Sequence, residues 1–120
     1  MASIRQEKFA RLLQRDLSNI IQQRTHSYFE GKMLMVNDVE VSPDLGYAKI
    51  YLGFINQTEK DYLLGLVQFY SKEIRHELAQ KIRNEVRKIP ELTFYIDNTL
   101  DNALKMEKIL EKLKENDELK

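Results

Sequence analysis

An alternating stretch with a short turn in its middle decides the fold, and it reads Asp38-Val39-Glu40-Val41-Ser42-Pro43-Asp44-Leu45-Gly46-Tyr47-Ala48-Lys49-Ile50-Tyr51. Apolar and polar side chains alternate on both sides of the turn, which is the period of a β-strand. Pro43 presets φ in the turn, and Gly46 tolerates a positive φ. We therefore predict an antiparallel hairpin, with one strand beginning at Met33 and the other running from Tyr47 to Ile55.

Strict alternation also divides the first strand into two faces. It assigns one face to Met33, Met35, Asn37, Val39 and Val41, and the other to Leu34, Val36, Asp38 and Glu40.

The segment before the hairpin predicts a helix. Ser3 and Gln6 have the spacing of a capping box, and apolar residues follow at gaps of three and four. The helix is expected over residues 4–23. Residues 24–32 are polar and contain Gly31, so they predict a loop.

The segment after the hairpin predicts a long, divided helical region. Thr58 is expected to cap it, Asp61 lies in its first turn, and an apolar stripe continues to Ile89, where Pro90 stops the helix. A bend is expected near Tyr70-Ser71-Lys72, with Ser71 as the bend residue because its hydroxyl competes for backbone hydrogen bonds. A third strand, Leu92 to Ile96, follows, and Thr99 caps a last helix.

These elements predict an α+β fold, with a three-stranded sheet and helices packed on one of its faces. The 120 residues are expected to form one domain over residues 1–120, ordered from about 3 to 113 and followed by a charged tail at 114–120.

Composition narrows the function classes. The absence of cysteine excludes disulfides and thiolate zinc sites. The longest nearly apolar stretch, residues 62–70, is far shorter than the roughly 20 residues of a membrane-spanning helix, and no secretory signal is evident. His26 and His76 lack metal-motif spacing, and no phosphate-binding glycine loop or nucleophile elbow occurs. We expect a cytoplasmic protein that contacts no membrane, uses no cofactor and is not an enzyme.

Charge is balanced overall, with 19 basic and 19 acidic residues, but it is unevenly distributed. Residues 3–24 and 72–88 are both locally basic. His76, Gln80, Arg83 and Arg87 follow at helical spacing, with Lys72 and Arg75 one turn earlier. This helical face fits either a nucleic-acid backbone or a solvated surface, and the residues alone favour neither.

Three segments together resemble the ribosome-binding factor A family. They are the hairpin quoted above, the opening-helix segment 13–21, and the segment Ile89-Pro90-Glu91-Leu92-Thr93-Phe94-Tyr95-Ile96-Asp97-Asn98-Thr99-Leu100. The resemblance covers roughly residues 4–113. It departs at the family's Ala-x-Gly helix kink, where this chain has Tyr70-Ser71-Lys72, and at a loop often reading Asp-Pro-Arg-Leu, where it has Ser27-Tyr28-Phe29-Glu30.

The resemblance implies a type II KH-like domain of order α-β-β-α-α-β, here followed by a C-terminal helix. It also implies a non-catalytic assembly factor that binds the small (30S) ribosomal subunit and 16S rRNA. Such a factor supports late maturation, including rRNA processing, and matters most in the cold. We expect a monomer. The alternative is a protein-interaction module with the same fold and no direct RNA contact.

The residues expected to contact RNA combine the basic helix with two arginines on the first helix. They are Lys72, Arg75, His76, Arg83, Arg87 and Lys88, with Arg11 and Arg15 as a secondary group.

Overall fold

A computed structural model describes residues 3–98 of the chain. In chain order the elements are α1 (Ile4–Gln23), α2 (Thr25–Phe29), β1 (Leu34–Val41), β2 (Tyr47–Phe54), α3 (Lys60–Phe69), α4 (Ser71–Ile82) and β3 (Glu91–Ile96). A one-turn 3₁₀ helix, Gln57–Glu59, precedes α3. The helix predicted from Thr99 lies outside the described residues.

The three strands form one sheet in the order β1-β2-β3. β1 and β2 are antiparallel, with Val41 opposite Ala48 at the turn, which confirms the predicted hairpin. β3 runs parallel to β2, with Glu91 opposite Tyr47. A parallel connection needs a long crossover, and α3 and α4 provide it.

The core lies between the sheet and the helices. Side chains from every layer are completely buried in one cluster, including Leu13, Leu17, Ile50, Leu52, Leu63, Ile74 and Leu78. α1 packs on β1 and against α4, and α3 contacts β3. The predicted α+β architecture with helices on one sheet face is confirmed.

The start of α1 agrees with the sequence. The Ser3 hydroxyl accepts the Gln6 N–H and the Gln6 side chain accepts the Ser3 N–H, so the capping box is complete. The Gln6 amide also donates to the Val41 carbonyl at 2.9 Å, which fixes the beginning of the helix beside the end of β1.

The strict alternation predicted for β1 is wrong, because a β-bulge interrupts the pairing between Val36 and Asp38. The bulge places Val39 on the same buried face as Val36. It also sends the Asn37 amide across β2 to donate to the Asp97 carboxylate at 3.0 Å. A Cβ on Gly53 would lie 2.5 Å from that amide nitrogen, so only glycine leaves room for this contact.

In the hairpin turn, the residue with positive φ is Leu45 (φ 61°) and not the predicted Gly46. Gly46 is buried, and its N–H donates to the Asp44 carboxylate at 3.0 Å. Leu45 holds this conformation because its side chain packs against the core.

Residues 24–32 are not the predicted loop. They contain the short helix α2, which buries Phe29 completely. Glu30 then adopts a left-handed conformation at the helix end, where the Gly31 N–H donates to the Thr25 carbonyl at 2.9 Å. Burial of one aromatic ring and this C-cap explain the helix.

The predicted Thr58 cap is also wrong. Asn56 precedes the 3₁₀ helix, and its side-chain oxygen accepts the Thr58 N–H at 3.1 Å. α3 begins only at Lys60, and Asp61 lies in its first turn as expected.

The helical stripe ends earlier than predicted, because α4 stops at Ile82 rather than at Ile89. A helix extended to Ile89 would carry the chain about 10 Å further along its axis. The Glu91 N–H must instead reach the Gly46 carbonyl, to which it donates at 2.9 Å, to start β3 beside β2. Residues 83–90, here called the α4–β3 connection, therefore turn back irregularly while Val86 and Ile89 still pack on the core.

Candidate nucleic-acid interface

The break between α3 and α4 falls at Tyr70, within the predicted segment, and Ser71 is the first residue of α4. The Tyr70 ring stacks on Tyr28 of α2, with centroids 4.0 Å apart and planes 6° apart. Within residues 3–98, no side-chain hydrogen bond caps the start of α4. The aromatic stack thus braces the break, and the bending role of the Ser71 hydroxyl stays a prediction.

A charged pair extends this brace to α1. The Arg24 guanidinium lies 5.5 Å from the Tyr28 ring centroid, and its Nε donates to Glu77 at 2.7 Å. The Glu77 carboxylate raises the pKa of Arg24 above its ordinary value through this hydrogen bond. Arg24 and Glu77 therefore connect α1 with α4 and are engaged with each other.

Lys72 and His76 lie on the exposed side of the first turns of α4. They line a shallow depression together with Tyr28, Glu73 and Glu77. The His76 Nε2 is 3.1 Å from the Gln80 amide nitrogen. Glu77 is already paired with Arg24, so Glu73 is the carboxylate of this depression that offsets part of the predicted positive charge.

Arg75 is turned toward the protein. Its Nε donates to the Pro90 carbonyl at 3.0 Å and its Nη2 to the Ile89 carbonyl at 2.9 Å, while Glu91 Oε1 is 3.6 Å from Nη2. The guanidinium joins α4 to the residues that start β3. At most its remaining N–H groups are available to a phosphate.

Arg83 stays on the helical face predicted with His76, because it is the C-cap of α4, has helical φ and ψ, and its N–H donates to the Ala79 carbonyl, whereas Arg87 lies beyond the helix and leaves that face. Arg83 follows the last residue of α4, and Arg87 and Lys88 lie in the α4–β3 connection, because the helix ends at Ile82. All three side chains are exposed, and within residues 3–98 none of them forms a hydrogen bond or an ion pair.

Arg87 and Lys88 lie near two cations of α1, Arg5 and Lys8, which are not among the residues predicted to contact RNA. The four residues line one groove of about 450 Å³, here called the basic groove, whose other lining residues are Phe9, Leu12, Asp44, Leu45, Glu85 and Val86. The basic character of residues 3–24 is the one signal in the sequence that points to Arg5 and Lys8. Only the fold brings them to residues eighty positions away.

The secondary group on α1 continues from this groove. Lys8, Arg11 and Arg15 follow at intervals of three and four and are exposed, so they form a row along the helix. Arg15 Nε donates to the Asp16 carboxylate at 3.2 Å, whereas Arg11 has no such partner within residues 3–98.

Among residues 3–98, no cluster of three or more His, Asp or Glu residues is arranged to hold a metal ion. No helix in this range combines the length and apolar character that crossing a bilayer requires.

The structural comparisons concern the fold. A Thermus thermophilus ribosome-binding factor A crystal structure is similar with a TM-score of 0.64 and 20% identity, covering 76% of this chain and 94% of that one. A Thermotoga maritima solution structure of a ribosome-binding factor A homologue gives 0.62 and 20%, covering 79% and 89%. A Thermus thermophilus ribosome-binding factor A homology model, fitted into a cryo-EM map of a 30S complex of that protein, gives 0.57 and 23%, covering 72% and 88%. The fold is thus the KH-like fold of these structures.

The sequence comparisons identify the family. The family model described as ribosome-binding factor A matches residues 5–110. A relative of that name from Cytophaga hutchinsonii is 36% identical, covering 94% of this chain and 85% of its own length. Another from Chlorobaculum parvum is 37% identical, covering 93% and 92%. The chain therefore belongs to the ribosome-binding factor A family.

Proposed function

We propose that this protein assists late maturation of the small ribosomal subunit, including 16S rRNA processing, by binding the subunit without catalysis. Family membership over nearly the whole chain carries the proposal. A similar protein of Thermus thermophilus has been fitted into a map of its 30S complex, which supports the small subunit as the partner. We extend to this chain a cytoplasmic location, action as a monomer and greatest importance in the cold.

The proposed contacts are eight basic side chains of α1, α4 and the α4–β3 connection. Lys72, Arg83, Arg87, Lys88 and Arg11 present side chains without ion-pair partners among residues 3–98. Arg15, His76 and Arg75 are proposed with them, although each already has a neighbour in the fold. Cations of this kind neutralise phosphates and position a protein on RNA without reading its sequence.

The proposed mechanism is selection between RNA conformations. A bound protein shifts an equilibrium between two states of the immature rRNA only by its difference in affinity for them. No bond is made or broken by the protein in this scheme.

Sucrose-gradient sedimentation tests the proposal. The tagged full-length protein is mixed with isolated small subunits, isolated large subunits and whole ribosomes, over a series of salt concentrations. We expect association with free small subunits that weakens steeply as salt rises, because phosphate contacts release counterions. Absence of the protein from the small-subunit fractions would contradict the proposal.

One observation favours the alternative of a protein-interaction module. The outer face of the sheet and its margin expose several large apolar side chains, namely Met33, Met35, Tyr47, Ile55 and Tyr95. An interface made mainly by this face would bury apolar area and depend little on salt. The salt series therefore separates the two functions.

A further inference from the structure

The basic groove lies where three segments meet that are distant in sequence. The first turns of α1, the hairpin turn and the α4–β3 connection each contribute walls. Its volume of about 450 Å³ falls within the range of ligand-binding clefts, roughly 300–1,000 Å³.

The rim of the groove is positive and available. Arg5, Lys8, Arg87 and Lys88 stand against two carboxylates, Asp44 and Glu85. Within residues 3–98 none of the four cations forms a hydrogen bond or an ion pair, whereas Asp44 accepts hydrogen bonds from the Ser42 hydroxyl and the Gly46 N–H. The net positive charge of the rim is therefore free to meet an anionic ligand.

The floor of the groove is apolar. Leu12, Leu45 and Val86 are half-buried side chains that pack against the core, and Phe9 lies beneath them. The backbone of Leu45 is in the left-handed conformation, which leucine rarely adopts. In this conformation its side chain forms part of the floor.

We propose that the basic groove binds single-stranded RNA, with one unpaired base against the apolar floor and its flanking phosphates on the four cations. The proposal rests on the function proposed above and names a contact site for it. Sequence-tolerant RNA binding requires alternate apolar and cationic surfaces, because each nucleotide offers a flat base and a charged phosphate. The groove presents these two surfaces side by side.

The row on α1 favours a polyanion over an isolated anionic group. Lys8 belongs to the groove, and Arg11 and Arg15 continue from it over about 10 Å of helix. A strand that leaves the groove along this row would meet a further cation at about each helical turn.

The test uses fluorescence anisotropy with labelled octauridylate, which has no stable secondary structure, and the full-length protein. Lys8→Gln with Lys88→Gln removes two rim charges. Lys49→Gln with Lys81→Gln is the matched control, because both lysines are exposed, lie outside the groove and lack ion-pair partners within residues 3–98. Thermal unfolding of all variants checks that the fold is retained.

We expect the groove variant to bind about tenfold more weakly than the control at 0.15 M salt, with a log–log salt slope smaller by about 1.4, because each contact with a single strand contributes about 0.7. Equal affinities of the two variants would overturn the proposal, as would failure of the wild-type protein to bind octauridylate. Weaker binding with an unchanged salt slope would also overturn it, because the two lysines would then not contact phosphates.

Binding to isolated small subunits is measured in parallel, so that the two proposals fail separately. If the wild-type protein does not sediment with small subunits, the proposed function is lost whatever octauridylate does. If it sediments and the groove variant behaves like its control with both ligands, only the groove is excluded.

Leu45→Asn tests the position of the base. Asparagine tolerates the left-handed conformation but replaces an apolar side chain of the floor with a polar one. The variant is expected to lose severalfold affinity for octauridylate and none for an abasic octamer of the same backbone. Equal wild-type affinity for the two probes would overturn the placement of a base on the floor.

Discussion

The predicted cations of α4 and those of the basic groove look alike in sequence but differ in what they touch. On α4, Arg75 donates to two backbone carbonyls and His76 Nε2 lies 3.1 Å from the Gln80 amide nitrogen, so only Lys72 of the three has no such neighbour among residues 3–98. In the groove, Arg87 and Lys88 have no ion-pair partner among residues 3–98. Neighbours in the fold, and not the number of charges in a segment, determine which cations are available to a ligand.

The largest expected effect comes from reversing two charges in the α4–β3 connection. Arg83→Glu with Arg87→Glu should weaken binding to small subunits by tenfold or more at 0.15 M salt, since two phosphate contacts become two repulsions. Co-sedimentation over a salt series measures the change. Arg83→Lys with Arg87→Lys keeps both charges and should bind nearly as the wild type. Unchanged co-sedimentation of the glutamate variant would contradict a role for these two residues.

The next effect compares two cations within one turn of α4. Arg75→Met removes the hydrogen bonds to the Ile89 and Pro90 carbonyls and should lower the free energy of unfolding by about 2 kcal/mol. Lys72→Met changes an exposed side chain and should alter it by no more than about 0.5 kcal/mol. Urea denaturation measures both.

Subunit binding should reverse this order, with Lys72→Met weakening it more than folded Arg75→Met, because only the remaining N–H groups of Arg75 can reach a phosphate. Equal losses of stability in the two variants would contradict a structural role of Arg75.

A smaller effect concerns the brace at the helix break. A double-mutant cycle of Tyr28→Ala and Tyr70→Ala should give a coupling of about 1 kcal/mol, since stacked aromatic pairs contribute roughly 0.5–1.5 kcal/mol beyond area burial. The free energies of unfolding of the four proteins provide the measurement. Tyr28→Ala combined with Tyr95→Ala, on the outer sheet face, should be additive. Additivity of the Tyr28 and Tyr70 changes would exclude the stack as a brace.

The stack also joins the two places where this chain departs from the family pattern. Tyr28 stands in the loop segment that differs, and Tyr70 stands in the differing kink segment. Their rings lie 4.0 Å apart, so the two departures contact each other. A mutual aromatic contact supports the helix break here without the small residues of the family's kink.

Local patterns predicted the elements whose ends are set by local contacts. The capping box predicted the start of α1. Alternation predicted β2 to within one residue, and the apolar residues that alternate along β3 predicted that strand. The bulge at Asn37 and the early end of α4 escaped prediction, because each is determined by a distant partner, Asp97 in one case and Gly46 in the other.

The same limit applies to the candidate site. Helical spacing predicts one face for His76, Arg83 and Arg87; this holds for Arg83, the C-cap of α4, but not for Arg87, because the helix ends at Ile82. Arg5 and Lys8 were not selected, because their proximity to Lys88 depends on the packing of α1 beside the hairpin turn. The availability of a cation is a property of the folded chain and has no signature in a short window of sequence.

The smallest expected effect concerns Asp44, one of the two carboxylates of the groove. The Ser42 hydroxyl donates to it at 2.6 Å and the Gly46 N–H at 3.0 Å, and these hydrogen bonds, with a smaller contribution from Lys88, lower the pKa of Asp44. Since the folded pKa lies below the unfolded one, the carboxylate stabilises the turn at neutral pH. That contribution is lost as the pH falls below about 4 and through the depressed value.

Asp44→Asn should therefore be less stable than the wild type at pH 7, with a difference that disappears toward pH 2, as measured by urea denaturation at each pH. A difference independent of pH would contradict the role of the ionised carboxylate. The same variant removes a negative charge from the basic groove and should raise the affinity for octauridylate severalfold. Glu85→Gln is the matched change, because within residues 3–98 Glu85 has no ion-pair partner. A gain from Glu85→Gln without one from Asp44→Asn would mean that the turn's donors already neutralise Asp44, so that four cations face one effective carboxylate in the groove.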